Sequence, residues 1–151
     1  MNNYYIKDIW GPGAQEGYPY KENNSDNCLI YFSSKKGQEC FRKCKGFLIY
    51  ETGHKTKNGM GSKTIYAYGV IVSDQSDLSE YWSDIDEKKF PFPVRIRLQK
   101  RINPEDKSGV SLDIIRAILK SPKEKMQRPG GLIKITKEQF DQLSIELNKS
   151  L

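Results

Sequence analysis

Residues 88 to 102 read KKFPFPVRIRLQKRI. Prolines set off Phe90 and Phe92, and the segment that follows alternates apolar with cationic side chains. The prolines hold both aromatic residues extended and cannot donate to a ladder, which leaves the rings free either to wall a pocket or to plug the open end of a barrel. The only two tryptophans, Trp10 and Trp82, fall outside strand-like segments. They suit the capping of a core, or stacking. In the second case the chemistry is recognition of a flat ring: a nucleobase swung out of its stack lies between aromatic faces and is read by hydrogen bonds at its edge, while Lys and Arg hold the phosphates. The cations available for that surround are Arg95, Arg97, Lys100 and Arg101, with Lys35, Lys36, Arg42, Lys43 and Lys45. Each of them also suits a plain solvated face.

Covalent chemistry has little to build on. A nucleophile–histidine–acid arrangement would need His54, the only histidine, which sits in a Gly/Lys-rich stretch with no ordered partners in sequence. Cys28, Cys40 and Cys44 are an odd number without regular spacing, so reduced thiols are expected rather than a disulfide framework. With His54 they have the count of a zinc site but lack its closely spaced ligand pairs, and no metal is expected. The carboxylates Asp74, Asp77, Glu80, Asp84 and Asp86 cluster in one polar segment that reads as solvated. Neither phosphate-binding glycine motif occurs, because GPG and NGMGSK lack the spacing, and no cofactor is expected.

Length and charge bound the rest. A chain of 151 residues supports one real core, so a single domain over residues 1–151 is expected. Its net charge of +6 favours acidic partners such as nucleic acid without singling them out. No run of eighteen apolar residues is present and the start, MNNYYIKDIW, lacks a secretory pattern, so a soluble cytoplasmic protein with no membrane partner is expected.

The elements that would position these residues follow from periodicity and punctuation. Residues 1–27, rich in Gly, Pro, Asn and Tyr, read as a wrapped, mostly irregular arm. CLIYFS, GFLIYE and TIYAYGVIVSD read as strands, with the basic stretch KKGQECFRKCK as a connection and TGHKTKNGMGSK as a hairpin-like one. In the third strand Tyr66, Tyr68, Val70 and Val72 are expected on one face and Ile65, Ala67, Gly69 and Ile71 on the other, with Gly69 at a bend or bulge. In the opening stretch Val94, Ile96 and Leu98 point inward while Arg95, Arg97 and Gln99 make a wet, basic face. Ser111 caps a short helix with Asp113 in its first turn, and Thr136 with Gln139 forms a capping box for a second that buries Phe140, Leu143 and Leu147. Between them RPGGLIKI supplies a turn and one more strand. The sum is a mixed α/β (α+β) domain, a curled, mainly antiparallel sheet of five or six strands with two helices against it.

In this order the segments resemble the EVE and YTH domains of the PUA-like superfamily. The serine-ending strand CLIYFSS, the pair GFLIYE and YAYGVIVSD, the aromatic loop, FPFPVRIRLQKRI, VSLDIIRAIL and GGLIKITKEQFDQL carry the likeness over residues 28 to 147. The resemblance implies a PUA-like β-barrel and a reader of modified, methylated bases in DNA or RNA, without catalysis or metal. YTH domains hold the base with a tryptophan in the loop after the glycine-containing strand, which carries over to Trp82 in EYWSD; Trp10 is the candidate for a second wall. Ser33 or Ser34 resembles the serine near the pocket, and Tyr31 and Phe92 join the base-binding set. Similar microbial domains imply a motor or nuclease subunit of a defence system as a partner. Two other functions stay open: an RNA-processing or hydrolytic enzyme like the ASCH group, using Lys35 or Lys36 with Glu39, and a protein-interaction domain using the tyrosine-rich arm.

Overall fold

The computed structural model describes residues 3–9, 28–53, 55–56, 59–75, 91–103, 108–121 and 131–150. Its strands are β1 (Tyr4–Ile9), β2 (Cys28–Phe32), β3 (Gly46–Glu51), β4 (Lys55–Thr56), β5 (Gly59–Met60), β6 (Thr64–Ile71), β7 (Phe92–Arg101), β8 (Val110–Ser111) and β9 (Leu132–Ile135). The helices are α1 (Lys35–Arg42), α2 (Leu112–Leu119) and α3 (Lys137–Asn148). Six strands lie in the order β2-β7-β6-β3-β1-β9, β8 pairs with β6, and β4 with β5 forms a separate small hairpin. Among these ladders only β1 with β3 is parallel, so the expected mainly antiparallel α+β sheet stands.

Register divides the side chains into two faces. Tyr5, Lys7, Phe47, Ile49, Ala67, Gly69, Leu98, Ile96, Phe92 and Phe32 share one, and Tyr4, Ile6, Leu48 and Tyr68 share the other. The first face is concave: Lys7 of β1 reaches Phe32 of β2 across the curl of the sheet. Helix α1 packs into it through Phe41, whose ring lies 5.1 Å from Phe32 and 4.9 Å from Phe47. Helix α3 covers the convex face, where Phe140 meets Tyr4 at 4.9 Å and Tyr68 edge-on at 6.3 Å.

Two bulges produce the curl. Between Tyr68 and Gly69 the β6–β7 register shifts, as Gly69 suggested, and a Cβ at Gly69 would collide with the Arg97 carbonyl. A second shift, between Ile49 and Tyr50, admits one extra residue on β6. The strict alternation expected along that strand therefore fails: Ile65, opposite Tyr50, falls on the Tyr68 face.

Both later helices start as the sequence indicated. Ser111 Oγ accepts from Ile114 N, and the Thr136–Gln139 capping box closes in both directions at 3.1 and 2.9 Å. Leu143 and Leu147 are buried and Phe140 half-buried. Two expectations are corrected. Residues 4–9, assigned to an irregular arm, form a strand between β3 and β9, because Tyr4, Ile6 and Ile9 are buried there with Lys7 and Asp8. The basic stretch read as a connection contains α1, a third helix, capped by Ser34 and burying Gln38 and Phe41. Residues 10–27 of the expected arm lie outside the described residues.

Candidate functional site

Where β2 meets β7, Phe32 lies directly opposite Phe92. Phe92 is half-buried on the concave side, while the Phe32 ring is buried beneath the first turn of α1, where a Cβ at Gly37 would touch it at 3.0 Å. Ser33 and Ser34 follow Phe32 and are exposed. Ser34 Oγ accepts from Gly37 N at 3.0 Å, so its hydroxyl holds the start of α1 in place. The helix is tied to β7 as well: the buried Gln38 amide donates to the Pro93 carbonyl at 2.8 Å. Pro93 lacks an N–H, but its carbonyl finds a partner in α1.

The chain thus brings Phe92, Ser33 and Ser34 together at one end of the concave face, with Lys35 and Lys36 exposed in the first turn of α1 beside them. No acid occupies that turn. Arg42 and Lys43 are exposed at the other end of the helix, roughly 10 Å away at 1.5 Å per residue. There Arg42 and Lys45 line an open groove of ≈ 400 Å³ with Cys44, Val70, Ile71, Val72, Ser73 and Gln75. Burial pushes the Cys44 thiol up to about 12, which keeps it protonated and inert.

Other expected site residues sit elsewhere. Tyr31 is 2% exposed and lies opposite Pro93 on the face away from Phe32, so it is a core side chain with no ring face open for stacking. Arg95, expected on a wet face, is 9% exposed, because Asp74 and Gln75 fold over it. Gln75 accepts from Arg95 N at 2.9 Å and donates to the Arg95 and Val72 carbonyls at 2.8 and 2.6 Å, extending the β6–β7 pairing by one side chain. The Arg95 guanidinium reaches the Asp74 carbonyl at 3.4 Å and its carboxylate at 4.0 Å. Arg97 is exposed as expected. Lys35, Lys36 and Glu39 lie on the exposed side of α1, so they do not assemble into an enclosed acid–base set. Trp10, Trp82 and His54 fall outside the described residues; among those described, no three potential ligands converge on a metal position.

The sequence matches no protein-family model and no curated protein. Its structure, however, superposes on solved domains over nearly its whole length. The Mmi1 YTH domain aligns with a TM-score of 0.59 at 15% identity, covering 99% of this chain and 76% of that one. A complex of the same YTH protein with RNA gives 0.59 at 15%, covering 98% and 82%. The Pho92 YTH domain in complex with m6A gives 0.51 at 14%, covering 97% and 83%. The chain has a YTH-like, PUA-like fold.

Sequence reasoning missed one group on the concave face of this YTH-like sheet. Lys7 is 8% exposed, with its Nζ 4.8 Å from the Phe32 ring centre. Burial lowers its pKa from 10.5 to about 8, and neighbouring Asp8 offsets only part of that. The available signal was the alternation of Tyr5, Lys7 and Ile9 against Tyr4, Ile6 and Asp8, which the turn-rich residues after it masked.

Proposed function

We propose that this chain is one YTH-like domain that binds RNA and takes a single modified base into the aromatic end of its concave face. The observation that carries the reading is the fold, shared with YTH domains solved with RNA and with m6A, combined with the half-buried Phe92 and the exposed Ser33 and Ser34 at one end of the curled sheet. In this reading Phe92 is one wall, Trp82 and Trp10 are the others, and the serines supply polar contacts to the base edge. Lys35, Lys36, Arg42 and Lys43 hold phosphates along α1. The activity is binding without turnover.

The test is a pair of titrations with matched single-stranded RNAs, one carrying N6-methyladenosine and one adenosine, repeated with the same strands as DNA. Wild-type protein should prefer the modified RNA. Trp82→Ala should weaken that binding about ten- to a hundredfold, the equivalent of roughly 1 to 3 kcal/mol of stacking, and leave the unmodified background nearly unchanged. A large fall in Tm with an unchanged preference ratio would show Trp82 to be packing and refute the cage. Stronger binding to the DNA strands would redirect the reading from RNA.

A further inference from the structure

The Lys7 ammonium is in an expensive place. It is nine-tenths buried and forms no ion pair among the described residues: the face of Phe32 lies 4.8 Å from it, and the nearby Asp8 carboxylate offsets only part of the burial. A cation–π contact offsets only part of the cost of removing an ammonium from water. An apolar side chain of similar length would fill the same space without that cost.

Gly131, in the left-handed region at φ 66°, lies beside the ammonium: a Cβ there would sit 2.5 Å from Lys7 Nζ and against the Asp8 carboxylate. Position 131 favours glycine for its left-handed backbone, and the ammonium and the Asp8 carboxylate occupy the space beside it. Register places Lys7 on the same face as Phe32 and Phe92, the face that the proposed base would enter.

We infer that Lys7 is a base-edge contact of this pocket, donating hydrogen bonds to a carbonyl oxygen or an unprotonated ring nitrogen of the bound base. The inference rests on the modified-base reading and narrows it. An ammonium with three donors and no acceptor selects a ring edge that presents lone pairs. It also repels a base that carries a formal positive charge, such as a ring-nitrogen-methylated purine, and the low-dielectric site strengthens that repulsion. The ligand class is therefore a neutral modified base with an acceptor edge.

The experiment compares wild type with Lys7→Met on three matched RNAs: unmodified, carrying N6-methyladenosine, and carrying the cationic N1-methyladenosine. Wild type should bind the neutral modified strand at least tenfold more tightly than the cationic one. Lys7→Met should melt at the same temperature or higher. It should lose tenfold or more on the neutral modified strand, and the gap to the cationic strand should narrow. Binding of the neutral modified strand within twofold of wild type would overturn the role of Lys7 and leave the RNA reading standing. Wild-type protein with no affinity for any of the strands would overturn both. Should the variant fail to fold, the side-chain NMR signal of Lys7 in wild-type protein decides: it should move on saturation with the neutral modified RNA, and a stationary signal would overturn the contact.

Discussion

Lys7 and Phe32 belong to strands four ladders apart in the sheet order, yet the Lys7 ammonium lies 4.8 Å from the centre of the Phe32 ring. Only a sheet curled nearly to closure brings β1 and β2 within reach of each other. The same curl sets Phe41 of α1 between Phe32 and Phe47, so one aromatic chain and one cation join the two sides of the half-barrel.

This burial should be visible in the pH dependence of stability. Folded Lys7 loses its proton near pH 8 and the unfolded chain near 10.5, so between those values the unfolded chain binds more protons and stability climbs with pH. Burial acts oppositely on Cys44 and Tyr50, both raised to about 12: the unfolded thiol and phenol ionise from 9.0 and 10.0 upward, and stability is lost there. Stability should therefore rise from pH 8 to 9, level off, and fall above pH 10. The Lys7 contribution is at most about 3 kcal/mol. Urea denaturation at each pH measures it, and Lys7→Met should lack the rising limb. A wild-type curve that is flat or descending from pH 8 to 9 would contradict the assignment.

Gly69→Ala should destabilise the fold by about 1 to 3 kcal/mol, because the added methyl collides with the Arg97 backbone carbonyl, which cannot swing away as a side-chain end would. The bulge beside it would have to flatten, and the curl would relax with it. Denaturant midpoints report the first effect. A change below about 0.5 kcal/mol would show that β7 yields freely at this point.

The Gln75 amide makes three hydrogen bonds, all to backbone groups of Val72 and Arg95. Gln75→Ala leaves the Arg95 N–H and the Val72 carbonyl to find other partners, while the Arg95 carbonyl still accepts from Val72 N at 3.3 Å, and should cost about 1 to 3 kcal/mol. Hydrogen exchange at the Arg95 amide should accelerate more than at Ile96 or Val94, since the loss is local. Uniform acceleration along β7 would mean that Gln75 supports the whole strand instead.

The legible parts of this fold were those whose signals are local. GFLIYE reads directly as a strand, Gly69 marks the bulge of β6 against β7, and the Thr136–Gln139 pair announces a helix start three residues apart. The rest depended on tertiary context. Helix α1 opens with two lysines and a glycine and buries only Gln38 and Phe41, so its apolar face is too narrow to read in the sequence. Strand β1 carries Lys7 and Asp8, both buried, where polarity argued for a surface segment. Arg95 fits an alternating strand and is nevertheless covered, because the residues that cover it, Asp74 and Gln75, are twenty-one and twenty positions away. The exposure of Ser33 and Ser34 and the place of Phe92 at a strand start follow from local signals, while the approach of Lys7 to Phe32, from a strand distant in both sequence and sheet order, does not.

That contrast between open and covered cations gives the last prediction. Lys35, Lys36 and Arg42 are exposed on α1, whereas Arg95 is held beneath Asp74 and Gln75. If the first three neutralise phosphates, converting all of them to Gln removes three counterion-releasing contacts and should lower the slope of log affinity against log salt by about 2, at roughly 0.7 per contact on a single strand. The loss should be equal for modified and unmodified RNA, because phosphate contacts position a strand without reading its sequence. Arg95→Gln should behave differently. It removes a buried guanidinium and its hold on Asp74, so its effect should appear as a lower denaturation midpoint with the salt slope little changed. A slope that falls with Arg95→Gln but not with the triple α1 variant would place the phosphate path along β7 and away from the helix.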